Sequence, residues 1–256
     1  MAEFKEYAPG TPCWVDLASP DVEKSKAFYG GLFGWKAGES SPETGGYFMF
    51  FKGDKNVAGC SPLMMEGQPT AWMSYVAVAD ADETTDKIKK AGGTVFVEPM
   101  DVLDVGRMAV FADAGGAALG LWQPRAHIGA DLANEPGAFT WNELQTRDTD
   151  GAQAFYAEVF GWGAQTSESE VMTYTEWKLG ESSIGGMMDM PPEIPPEVPA
   201  YWLVYFAVED CDASTTKAEE LGGAVFVAPM DVEPGRFSVL ADLTGAMFAI
   251  IKMKQS

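Results

Sequence analysis

At 256 residues, 46% hydrophobic and 21% charged, the chain has the composition of a globular protein, and it contains no apolar run long enough to cross a bilayer. A formal net charge of −21 would repel phosphate backbones and anionic membrane surfaces, which argues against nucleic acid and membrane as partners. Cys13, Cys60 and Cys211 lie far apart with no Cys-x-x-Cys spacing, so neither a disulfide framework nor a thiolate zinc site is expected, and they are read as reduced core residues.

The opening MAEFKEYAPG lacks a basic and then apolar signal pattern, and cytoplasm is the default compartment. The stretch WVDLASPDVEKSKAFYGGLFGW then runs from Trp14 to Trp35. Trp14, Asp16 and Ala18 alternate with Val15 and Leu17, which predicts a strand; Ser19-Pro20-Asp21 starts a helix, and Gly34 stops it. YFMFFKG and NVAGCSPLM predict a hairpin. MSYVAVAD, the helical ADETTDKIKKAG and the strands TVFVEP, GRMAVFAD and AALGLW repeat the same strand-helix-three-strand unit. A turn-rich connector, QPRAHIGADLANEPGA, follows.

Beyond it the first stretch returns without a gap as WNELQTRDTDGAQAFYAEVFGW, from Trp141 to Trp162, an offset of 127 residues. YTEWKLGESSIGGMM, LVYFAVEDCD, TTKAEELGG, AVFVAP, GRFSVLAD and AMFAII complete two further units, with the Pro-rich PPEIPPEVP read as a stiff spacer between them. Duplication on this scale predicts two domains, residues 1–126 and 127–256, each large enough to bury its own core.

Paired strand-helix-three-strand units, the D-x-x-x-(S/A)-x-x-F-Y helix and the F-x-D-x-x-G-A ending resemble the vicinal oxygen chelate superfamily of glyoxalase I, extradiol dioxygenases and bleomycin-resistance proteins. The P-x-W-V-D-L and W-N-E-L openings and the R-A-H-I-G-A connector are similar to tandem glyoxalase-like proteins of actinobacteria, among them a mycobacterial antigen and hydroxylases of antibiotic producers. The resemblance implies an α+β fold in which tandem paired βαβββ modules form two incomplete barrels, each around a cavity, with the domains paired inside a monomer. It also implies a divalent metal held by His or Gln in the first strand of each unit and Glu in the last. Those positions fall here on Trp14 and Trp141, near Met73 and Leu203, and on Gly120 and Ala249, with Gly59 and Gly186 as the inner counterparts. None of these side chains is a ligand for such an ion, and the one histidine, His127, lies in the connector. No metal and no cofactor is expected.

Indole rings beside bare backbone suggest slots for a flat aromatic ligand. Trp14, Trp141, Trp122, Tyr75, Tyr205, Met73 and Leu203, with Met64, Met187 and Met188, are the candidate lining; equally, they could fill a core whose cavity has closed. Asp16 and Glu143 stand two residues after Trp14 and Trp141, hence on the same strand face. A carboxylate beside an aromatic wall could act as a general base, or it could accept hydrogen bonds from backbone or from Arg107 and Arg236. His127 is weighed as a catalytic group against a packing residue. Three readings stay open: a metal-independent protein that binds or sequesters an aromatic or polycyclic metabolite; a glyoxalase-like or hydroxylase-like enzyme doing lyase, isomerase or oxygenation chemistry; and a structural protein with no ligand.

Overall fold

The structure, a computed structural model, describes residues 3–40, 42–168 and 173–254. Strand β1 (Pro12–Ser19) leads into helix α1 (Val22–Phe33), whose cap Asp21 accepts from the Lys24 backbone N–H at 3.1 Å. Gly34 ends α1 in the left-handed conformation at φ 71°, which a residue with a Cβ adopts only at a cost. Strands β2 (Lys36–Ala37), β3 (Phe48–Lys52) and β4 (Lys55–Pro62) finish the first unit, and β5 (Ala71–Ala77), α2 (Ala81–Lys90), β6 (Thr94–Val102), β7 (Gly106–Ala112) and β8 (Ala118–Pro124) make the second. The second half follows with β9 (Phe139–Thr146), α3 (Thr149–Phe160), β10 (Gly163–Glu168), β11 (Thr173–Leu179) and β12 (Ser182–Asp189). Its last unit is β13 (Tyr201–Ala207), α4 (Cys211–Glu220), β14 (Ala224–Val232), β15 (Gly235–Ala241) and β16 (Met247–Met253).

Each half is one eight-stranded mixed sheet, in the order β2-β3-β4-β1-β5-β8-β7-β6 and β10-β11-β12-β9-β13-β16-β15-β14. The sheets are open at both edges, giving the tandem α+β architecture of incomplete barrels that the resemblance implies. At each centre an antiparallel pair, β1 with β5 or β9 with β13, is flanked by parallel partners. Alternation gives these strands two faces. Trp72 donates to the Tyr29 hydroxyl of α1 at 2.9 Å, so its face is the helix side of the sheet; Trp14 and Asp16 point the other way, onto the inner face.

The expectation that each half buries its own core is corrected. One cluster joins Phe28, Tyr29 and Trp35 to Phe206, Leu240 and Phe248, and a second joins Ile88, Phe111 and Leu119 to Phe155, Tyr156 and Trp177. The physical reason is that α1 and α3 are apolar on the side their own sheets leave uncovered, and the rear unit of the opposite half covers it. Polar bonds match the packing: Tyr29 donates to Asp242 at 3.1 Å and Tyr156 to Asp113 at 2.8 Å. The Trp35 indole reaches the Gly137 carbonyl at 2.8 Å, and Trp162 reaches that of Gly10 at 2.7 Å. Ser74 and Asn142 share a buried 2.5 Å hydrogen bond between the central strands of the two sheets. Cys13, Cys60 and Cys211 are buried and unpaired. The Pro-rich spacer, residues 191–199, is pinned by Arg147, which donates to the carbonyls of Ile194, Pro195 and Val198. No helix of the described residues is long and apolar enough to cross a membrane.

Candidate ligand-binding faces

Register brings the inner-face residues of each half together. In the first sheet Trp14 lies opposite Tyr75, Asp16 opposite Met73 on one side and Gly59 on the other, and Tyr75 opposite Gly120. In the second sheet Trp141 faces Tyr205, Glu143 lies between Leu203 and Gly186, and Tyr205 pairs with Ala249. The positions that the resemblance assigns to metal ligands therefore do converge, two by two, at the middle of each sheet.

What fills the convergence is a pair of tyrosines around a carboxylate. The Trp14 indole N–H donates to the Tyr47 hydroxyl at 2.9 Å, and the Trp141 indole to the Tyr174 hydroxyl at the same distance. Tyr174 donates on to Glu143 Oε2 at 2.9 Å; Tyr205 and Gln145 donate to Oε1 at 2.9 and 2.7 Å. Asp16 is enclosed in the same way by Tyr47 and Tyr75, and Tyr75 is its hydrogen-bonding neighbour. These tyrosines occupy the space a carboxylate on the neighbouring strand would need. A Cβ on Gly59 or Gly186 would stand 2.0 Å from the Tyr47 or Tyr174 hydroxyl, and one on Gly120 would stand 2.1 Å from the Tyr75 ring. The donor set thus does not fit the superfamily's divalent ion, and among the described residues no group of three His, Cys, Asp or Glu side chains could hold one.

Desolvation dominates the electrostatics. It pushes the Asp16 carboxyl up to about 7, only partly opposed by the Tyr75 hydroxyl, and it raises Glu143 against the pull of its three donors. Burial likewise lifts Tyr47, Tyr75 and Tyr205 well above the ordinary phenol range, with the nearby carboxylate adding to it. Arg107 and Arg236 do not serve these carboxylates. They pair with Asp82 and Asp101, and with Asp212 and Asp231, on the exterior.

The remaining candidates divide. Trp122 lies on the inner face of the first sheet and donates its indole N–H to the His127 carbonyl at 2.7 Å. His127 packs edge-on against Trp14 at 4.6 Å, and burial lowers its imidazole to about 4, so it is neutral at physiological pH. Met73, Tyr75, Leu203 and Tyr205 are inner-face residues. Met187 is not: it pairs with Leu144 and Thr175 and is fully buried with Tyr156 and Trp177 on the helix side, whereas Met188, one residue on, faces inward. Met64 sits exposed in the loop after β4 against Gly45. Tyr47 and Tyr174 escaped the sequence reading, although the 127-residue offset of the front repeat relates them as well. A separate cleft of about 530 Å³ opens at the edge of Trp141, between the N-terminal segment (Phe4, Tyr7, Thr11) and Asn142, Ser182 and Ile184.

The fold defines a class: tandem paired βαβββ units with the candidate site positions gathered at the centre of each sheet. The chain belongs to the Glyoxalase/Bleomycin resistance protein/Dioxygenase superfamily, which matches residues 13–121, and a Glyoxalase-like domain family matches residues 141–251. It is 42% identical over 259 aligned residues to the "Putative glyoxylase CFP32" of Mycobacterium tuberculosis, covering 98% of both chains. It is 38% identical to the "Anthracycline biosynthesis protein DnrV" of Streptomyces peucetius, covering 97% of this chain and 95% of that one. Among solved structures the 2,3-dioxygenase LapB from Pseudomonas sp. KL28 superposes with a TM-score of 0.68 at 13% identity, over 97% of this chain and 94% of the other. The Mn(II)-bound glyoxalase from Novosphingobium aromaticivorans gives 0.66 at 14%, over 95% and 82%; at such identities these two share the fold alone.

Proposed function

We propose that the chain is a metal-independent binding protein for an aromatic or polycyclic metabolite, held against the tryptophan-tyrosine-carboxylate cradles of its inner faces, and that it works as a monomer. One observation carries this reading: a tryptophan, two tyrosines and a carboxylate are brought together twice, at the places where relatives would grip an ion. Wide aromatic plates, adaptable Met73 and Leu203, and a few convergent polar groups are what a flat, hydroxylated ligand requires. The 38% identity to an anthracycline biosynthesis protein supports a polycyclic ligand. Titration with hydroxylated polycyclic aromatics should quench tryptophan fluorescence, and Trp14→Ala or Trp141→Ala should weaken the response. An undiminished titration in both variants would defeat the reading.

A second reading is favoured by one specific feature. A carboxyl pushed up to about 7 at an apolar wall, as at Asp16, suits a general base for lyase, isomerase or oxygenation chemistry. It requires that Asp16→Asn abolish turnover of a substrate such as a methylglyoxal hemithioacetal while leaving the fold intact.

A further inference from the structure

We propose that the first inner face is the single tight ligand site of the chain, and that it selects a planar molecule with a phenolic or enolic hydroxyl: the hydroxyl donates to Asp16, and a second polar atom meets His127 Nε2. This rests on the binding reading above and narrows it to one half and one class of ligand.

The two cradles share their tryptophan and both tyrosines; besides Met73 against Leu203 and Gly120 against Ala249, they differ at and beside the carboxylate. Where the second half has Glu143 and Gln145, the first has Asp16 and Ala18. Glu143 is sealed from solvent, and its oxygens already accept three short hydrogen bonds from its own neighbours. Asp16 is one methylene shorter and has no amide beside it. Among the described residues Tyr75 is its one hydrogen-bonding hydroxyl, and Asp16, like Met73 and Met108, is only partly buried. A carboxylate with unused acceptor positions against an apolar wall is stabilised by an incoming donor.

The second unpartnered polar position comes from the connector. The backbone N–H groups of Arg125 and His127 both donate to the Val105 carbonyl, at 3.1 and 3.0 Å, which folds the connector back over the first sheet. Trp122 holds the His127 carbonyl, and the imidazole stands 4.6 Å from the Trp14 ring and 5.5 Å from that of Trp122. Its Nε2 is buried without a hydrogen-bond partner. A buried ring nitrogen left unpaired is costly, and a ligand oxygen beside Trp14 removes that cost. The second half has no histidine at all. Its unpartnered buried polar atom on the inner face is the neutral Gln145 Oε1, which offers a hydroxyl less than a carboxylate does.

The probes are 2-hydroxyanthraquinone and unsubstituted anthraquinone, titrated calorimetrically into the full chain. Expected are one tight equivalent of the hydroxylated probe per chain and binding of the unsubstituted probe weaker by about tenfold, within the range for satisfying a buried polar group. Asp16→Asn should erase that tenfold preference while the far-ultraviolet spectrum and melting profile stay native-like, and His127→Phe should weaken both probes. Two equal sites per chain, or a hydroxyl preference that survives in Asp16→Asn, would overturn the proposal and leave the broader binding reading standing. Binding of neither probe would overturn both.

Discussion

The indole N–H of Trp141 and the carboxylate of Glu143 meet on one hydroxyl, that of Tyr174, which accepts from the first and donates to the second, both at 2.9 Å. Removing the hydroxyl strands two buried groups at once. Tyr174→Phe should therefore cost about 2 kcal/mol of stability, within the range for unsatisfied buried polar groups. Tyr47→Phe should cost less, because Tyr47 accepts from Trp14 but is not bonded to Asp16 as Tyr174 is to Glu143. Urea unfolding of both variants checks the order, and equal losses would contradict it.

Restoring one ligand should not restore a metal site. Gly120→Glu places a carboxylate where superfamily relatives carry one, yet Trp14, Met73 and Gly59 still offer nothing around it, and the new Cβ lies 2.1 Å from the Tyr75 ring. The expected result is a loss of about 1–3 kcal/mol from overpacking and no retained manganese, nickel or zinc by elemental analysis. Stoichiometric metal in this variant would show that the tyrosines yield more easily than their packing implies.

Acid stability should expose two opposing groups. Asp16 is raised from 3.8 to about 7, so between those values the folded chain holds a proton that the unfolded chain has released, and stability falls as pH rises. His127 is lowered from 6.5 to about 4, so there the unfolded chain holds the extra proton and stability rises with pH. Each slope is at most about 1.4 kcal/mol per pH unit, and over the shared window they largely cancel. Relative to the parent, Asp16→Asn should gain stability with rising pH and His127→Asn should lose it. Denaturation midpoints between about pH 4.5 and 6.5 decide, and parallel curves for all three chains would refute both assignments.

Shared cores imply shared fate. With Phe28 packed on Phe248 and Tyr156 bonded to Asp113 across the two halves, calorimetry should show one cooperative transition rather than two. Residues 1–126 expressed alone should bind a hydrophobic dye. Two separate transitions would mean that the cross-half contacts contribute little.

The fold was legible because duplication and alternation are local signals. A period of two placed Asp16 beside Trp14 and Glu143 beside Trp141, and helix-stopping Gly34 and Gly161 sit in the left-handed conformation that the sequence requires. Long-range relations were not legible. Met187 was expected on the inner face, but Gly186 is the residue opposite Glu143, and a shift of one position turns a strand side chain to the other side. Tyr47 precedes β3 and matters only because Gly59, on the next strand, leaves it room. Nothing in the connector's sequence specifies that it folds onto the Val105 carbonyl, so the surroundings of His127 became visible only in three dimensions.

Two identical protomers related by a symmetry axis would present the same carboxylate, the same amide and the same chain terminus on both sheets. Fusion into one polypeptide breaks that identity: a linker exists at a single junction, its His127 segment lies against the first sheet alone, and the halves are free to specialise.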